Sequence, residues 1–182
     1  DGDLTSSITV SGNVDTSIVG NYALTYSVSD AAGNNASATR NVSVLEPLVC
    51  LNGEVVYLDA NGVTIKACPN AQIGDSGNVN GFTYTIVSEQ QLMDYVNSGQ
   101  LELNRLVTTQ VTNMSGLFSE KGSFNQDISN WDLSNVTDIS DMFNLAYSFN
   151  QPIGYWDTSN VINMSGAFFN ARMFDQPIGD WD

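Results

Sequence analysis

The sequence predicts a mixed β and α/β fold: a β-rich N-terminal segment, then a solenoid with one short strand and one short helix per 25-residue turn. Two observations carry this reading. Residues 1–44 alternate apolar and polar side chains with period two and contain almost no helix formers. From residue 111 onward, apolar and amide positions return every 25 residues. Composition limits the function. Only 14% of the 182 residues are charged, against roughly 25% in an average globular protein. Twenty Asp plus Glu stand against five Lys plus Arg, for a net charge of −15 with no His. Nothing could neutralise a row of phosphates, which excludes nucleic acid and anionic lipid as partners. Lack of imidazole removes Ser-His-Asp and Cys-His catalysis and the common zinc sites. Polarity comes from 21 Asn and 20 Ser, suited to turns and caps. With 42% hydrophobic residues the chain can fill a core. No apolar run approaches the ~20 residues of a membrane helix, so no membrane insertion is expected, and no signal-peptide pattern occurs.

The first strands are read at Ile8–Val10, Tyr22–Val28 and Ala38–Val44, punctuated by turns at Gly12-Asn13, Gly20-Asn21 and Ala32-Gly33-Asn34. Antiparallel strands of a sandwich follow from that pattern. Asp1-Gly2-Asp3-Leu4-Thr5, Val14 to Tyr22, Tyr26 to Asn34 and Ala38 to Val44 resemble the bacterial immunoglobulin-like surface domains that occur in tandem arrays. The resemblance implies an immunoglobulin-like β domain at 1–45 with its N-terminal part missing. Asp1-Gly2-Asp3-Leu4 reads as the middle of a domain and Trp181-Asp182 as the middle of a motif, so a piece of a longer protein is expected, with neighbouring domains as partners.

Glu46-Pro47 reads as a linker, because proline and its predecessor disfavour helix. A β-rich module is expected at 46–86. Gly53–Leu58 and Gly62–Ala67 flank a three-residue turn, Asp59-Ala60-Asn61, and Asn80-Gly81 opens a strand running to Ile86. Cys50 and Cys68 flank the first hairpin. Their placement admits either a disulfide or two reduced core thiols.

The repeat region is expected at 87–182, capped over about 87–110. Val111, Val136 and Val161 are 25 residues apart, as are Phe118, Phe143 and Phe168, and Phe124, Phe149 and Phe174. Gln126/151/176, Ile128/153/178, Trp131/156/181 and Asp132/157/182 keep the same period. Phe124–Ile128 alternates as a short strand would, and Trp131–Val136 reads as a turn with Asp132 accepting backbone N–H groups. Ile139, Met142, Phe143 and Ala146 fall at i, i+3, i+4 and i+7, which predicts about two helical turns. One strand and one helix per unit is the leucine-rich-repeat plan. Before the first unit, Ser88 and Gln91 make a capping-box pair for a helix over 88–96.

Val111-Thr112-Asn113-Met114-Ser115-Gly116-Leu117-Phe118, followed by Phe124-Asn125-Gln126-Asp127-Ile128-Ser129-Asn130-Trp131-Asp132, resembles BspA-like leucine-rich-repeat surface proteins. The resemblance covers about residues 60–182. It implies a secreted or surface-attached, non-enzymatic protein with a role in adhesion.

Two sets of candidate site residues emerge. Asp1 and Asp3 in one loop, with Asp30 and Asn34 in another, are hard oxygen donors that suit calcium. The competing reading is ordinary Asx turns. No cofactor is required otherwise. Trp131, Asp132, Trp156 and Asp157 form a candidate ligand face, where aromatic edges beside carboxylates would suit a sugar. Against it, each Asp caps its own turn, and Phe118, Phe143 and Phe168 read as core. The Gln column reads as an amide ladder. Asp138 and Asp141 read as a negatively charged helix start, not a catalytic pair. The function expected is adhesion or recognition of a protein or glycan on an extracellular surface. The alternatives are a spacer in a long surface fibre and a carbohydrate-binding accessory module of a secreted enzyme.

Overall fold

The computed structural model describes residues 5–16, 18, 20–44, 50 and 53–181. The chain divides into two compact units, residues 1–48 and 49–182. Glu46-Pro47 lies outside the described residues.

In the first unit β1 (Thr9–Ser11), β2 (Gly20–Ser29) and β3 (Asn35–Val44) form one antiparallel sheet in the order β1-β2-β3. The β2–β3 register runs from Gly20 opposite Val44 to Ser29 opposite Asn35. Asp30 closes that hairpin. Its carboxylate accepts from the backbone N–H of Ala32 at 2.9 Å and of Asn34 at 2.8 Å, and from Asn34 Nδ2 at 2.7 Å. The expected sandwich is not formed among the described residues. There is one sheet, its described side chains are all at least partly exposed, and Ile8 and Val10 remain 45% and 56% exposed. A core of sandwich type needs a second sheet over the apolar face.

In the second unit a disulfide joins Cys50 to Cys68, with Cα atoms 5.8 Å apart, and so settles the alternative left open by the sequence. β4 (Val56–Leu58) pairs with β5 (Ile65–Ala67). Their connection is longer than the expected three residues. Asn61 Oδ1 accepts from the N–H groups of Val63 and Thr64, and Asp59 N–H donates to Thr64 O, which holds 59–64 as a loop. β6 (Ser76–Val79) and β7 (Phe82–Ile86) are joined by Asn80-Gly81, whose φ values of 52° and 85° suit a mirror-image hairpin turn. β7 also pairs, in parallel, with β8 (Leu106–Val107). Gly77 lets β6 lie against the first hairpin, since a Cβ there would come within 2.6 Å of Val56. Val56, Ile65, Tyr84, Ile86 and Val107 fill the core of this module.

α1 (Glu89–Asn97) starts as the sequence predicts: Ser88 Oγ accepts from Gln91 N–H at 3.2 Å, and Gln91 Oε1 accepts from Ser88 N–H at 2.9 Å. Leu92 and Val96 turn inward onto a core that continues through the repeats.

The expected solenoid of one strand and one helix per turn is corrected by the structure. Residues 109–181 contain neither strand nor helix, only successive turns with isolated parallel bridges linking Asn113, Asp138 and Asn163. The chain is mainly β, in small sheets, with α1 as its one α-helix among the described residues. Backbone conformation explains the difference. Gly116, Asp141 and Gly166 have φ of 63°, 52° and 67°, and Glu120, Leu145 and Asn170 have 62°, 60° and 56°. Two left-handed residues four apart in each unit cannot continue a right-handed helix. Met142, Asn144 and Ala146 donate three residues back, to Ile139, Asp141 and Phe143. Ile139, Asp141, Phe143 and Leu145 donate instead to Asn163, Ser165, Ala167 and Phe169 of the following unit. Met114, Gly116, Phe118 and Glu120 do the same toward Asp138, Ser140, Met142 and Asn144. The inward stripe Ile139, Met142, Phe143 and Ala146 is buried as the spacing requires, but on a ribbon of turns.

Candidate functional site

The aromatic columns belong to the interior. Phe118, Phe143 and Phe168 stack with centroids 5.4 and 5.3 Å apart, and Phe124, Phe149 and Phe174 at 5.7 and 5.9 Å. Trp131 is fully buried and Trp156 is 3% exposed. Their indole N–H groups donate to Leu103 O and Ile128 O, and that of Trp181 to Ile153 O. Each indole is thereby pinned to a carbonyl 28 residues earlier, and neither Trp131 nor Trp156 offers a ring face to a ligand. What covers them is the neighbouring unit, a contact that the local sequence around each Trp does not display.

Asp132 is buried, and its Oδ1 accepts from Ser134 N–H at 3.1 Å and Ser134 Oγ at 2.7 Å. Asp157 is exposed and holds Ser159 in the same way, at 3.1 and 2.6 Å. Both carboxylates close their own turns; Asp182 lies outside the described residues. Lys66 faces this region from β5. Burial disfavours its charge, but Asp132 and Asp59 outweigh burial and raise its pKa above 10.5, with Asp59 Oδ2 3.2 Å away.

Of the proposed calcium set, Asp1 and Asp3 lie outside the described residues. Asp30 and Asn34 bind each other, which makes their loop an Asx turn. The side chain of Asn34, together with the loop N–H groups, lowers the Asp30 pKa below 3.8. Among the described residues no three His, Cys, Asp or Glu side chains cluster as a metal site.

The amide column is a ladder of alternating partners. Gln151 Nε2 donates to Asn125 O and Oδ1, and Gln176 Nε2 to Asn150 O and Oδ1. Asn150 N–H donates to Asn125 Oδ1, and Asp175 N–H to Asn150 Oδ1. Sequence reasoning placed the Gln column but missed Asn125 and Asn150, whose 25-residue spacing was the available signal. Asp138 spans units as well. It accepts from Ser140 Oγ and N–H and from Asn163 Nδ2; those bonds, the Ser140 hydroxyl first, lower its pKa below 3.8.

With the interior assigned, the outward positions remain. Thr112, Thr137 and Ile162 occupy one repeat position; Gly122, Tyr147 and Arg172 another; Ser123, Ser148 and Met173 a third. The Arg172 guanidinium lies 4.8 Å over the Tyr147 ring. Ile162, Phe169 and Met173 are 87%, 62% and 63% exposed.

Residues 1–44 match the family described as bacterial surface protein, Ig-like domain. Residues 88–182 match the family described as Mycoplasma protein of unknown function, DUF285. No curated protein and no solved structure matches the chain. Both matches are consistent with a cell-surface protein, and among the described residues no helix is long and apolar enough to cross a membrane. Because the second match spans more than half of its length, the chain belongs to the DUF285 family, with the stretch similar to the bacterial surface Ig-like domain ahead of the family region.

Proposed function

We propose that the chain is a non-enzymatic recognition segment of a bacterial surface protein, akin to the BspA-like surface proteins, that binds a protein or glycan on another surface. One observation carries the reading. The Val111, Phe118, Phe124 and Trp131 columns of the interior keep their residue from unit to unit, while several outward positions change, as in Gly122, Tyr147 and Arg172, or from Thr112 and Thr137 to Ile162. A stack selected only as a spacer has no need to vary its outer face, whereas a recognition surface gains specificity from variation. Exposed Phe169 and Met173 supply the apolar side chains that association uses.

The continuous interior supports a second reading, a stiff spacer between neighbouring domains of a longer chain. Binding of the labelled chain to fixed cells and to immobilised glycans and matrix proteins, with calcium and with chelator, separates the two. Recognition predicts saturable binding that Tyr147→Ala with Phe169→Ser weakens at unchanged melting temperature. The spacer reading predicts no saturable binding to any of these surfaces.

A further inference from the structure

We propose that the groove between the C-terminal end of α1 and the first repeat unit is a binding site for a neutral saccharide. The groove encloses about 600 Å³ and is lined by Val96, Asn97, Gln100, Lys121, Phe124 and Gln126, with Gly99 leaving its wall bare.

Comparison with the next two interfaces shows what is missing there. Ser148 N–H donates to Gly122 O, and Met173 N–H to Tyr147 O. Asn150 and Asp175 N–H donate to the side-chain oxygens of Asn125 and Asn150. At the first interface the equivalent donors are Ser123 and Asn125, and among the described residues neither N–H has a protein acceptor. The residue that should supply the side-chain oxygen is Gln100, where the later units have Asn. Gln126 Nε2 finds only Gln100 O, at 2.9 Å, while Gln151 and Gln176 each reach two oxygens. Tyr147, whose ring would lie 2.9 Å from a Cβ on Gly122, fills the corresponding space one unit on.

The groove is therefore lined by residues that carry two N–H groups without a protein acceptor, those of Ser123 and Asn125, and one buried acceptor without a donor, Gln126 Oε1, beside the apolar Val96, Leu103 and Phe124. Donors and an acceptor left open together call for a ligand whose groups both accept and donate, as hydroxyls do. Glu120 and Lys121 cancel locally, and the chain carries a net charge of −15, which disfavours an anion. Hydroxyl oxygens over an apolar floor, bonded by amides, match a neutral sugar.

The proposal rests on the surface-recognition reading but fails separately from it. Neutral disaccharides (lactose, maltose, cellobiose and di-N-acetylchitobiose) would be titrated into the isotope-labelled full chain and followed by amide NMR. The expected result is saturable shifts at Ser123, Asn125 and the Gln126 side chain with at least one of them. Gln100→Asn, which supplies the missing oxygen as Asn125 and Asn150 do, should weaken that binding about fivefold, the worth of one hydrogen bond, without lowering the melting temperature. No shift from any disaccharide at tens of millimolar would overturn the proposal, as would shifts that Gln100→Asn leaves unchanged. Binding to cells that persists in Gln100→Asn would leave surface recognition standing and remove the groove from it.

Discussion

Strands β2 and β3 pair over ten residues each, from Gly20 opposite Val44 to Ser29 opposite Asn35, yet every described side chain of their sheet is at least partly exposed. Residues 111–181 contain no strand and no helix, yet Phe118, Trp131, Val136 and Met142 are fully enclosed. Regular backbone and a packed interior are separate achievements. In the first sheet the ladder satisfies the backbone and little apolar area leaves water. In the repeats, turn bonds and bonds to the next unit satisfy the backbone while the aromatic columns supply the burial. The second arrangement should dominate stability, because apolar area removed from water is the larger favourable term.

Truncating one side chain in each region breaks the comparison most severely. Trp131→Ala should cost the second unit about 3–5 kcal/mol in denaturant unfolding, as large-to-small core changes do. Val10→Ala, at a residue 56% exposed, should stay within about 0.5 kcal/mol. Equal losses at the two sites would refute the contrast. Reducing the Cys50–Cys68 disulfide, with 18 residues of separation, should cost the second unit about 3 kcal/mol and leave the first sheet's exchange rates unchanged. Gly166→Val forces a β-branched residue to a φ of 67° against Asp141. It should cost at least about 1–2 kcal/mol, with local loosening of the last unit in hydrogen exchange.

Acid and alkali give the smallest effects. Asp30 and Asp138 have lowered pKa values, so their contribution is present above pH 3.8 and is lost as pH falls through the folded values below it. Lys66 is raised, so its contribution is present below pH 10.5 and is lost as pH rises through its folded value. Thermal melts of the wild type and Lys66→Met should therefore converge only above pH 10.5. A constant difference between them up to pH 12 would remove the carboxylates' role.

Much of this arrangement is legible from residues alone. The Ser88–Gln91 capping box, the Asn80-Gly81 turn and the inward columns appear where local chemistry and spacing put them. The repeat backbone is not legible, for a physical reason. Positions i, i+3, i+4 and i+7 point one way on a helix, and Ile139, Met142, Phe143 and Ala146 also point one way on a ribbon of turns. Only the left-handed residues distinguish them. Gly116 and Gly166 carry that signal and Asp141 a weaker one, but Glu120 and Leu145 adopt the same conformation without any mark in the sequence. Burial of Trp131 was hidden for a related reason, since its N–H partner Leu103 lies 28 residues away. The Asp30–Asn34 loop admitted two readings in the sequence, and its two side chains are each other's partners, as in an Asx turn.

Through-hydrogen-bond scalar couplings measured by NMR on the labelled chain test the central claim most directly, because they name donor and acceptor together. Couplings from Phe118 N to Met142 C′ and from Phe143 N to Ala167 C′ are the predicted result. Couplings from Met142 N to Asp138 C′ and from Phe143 N to Ile139 C′ would place a helix in each unit and contradict the account.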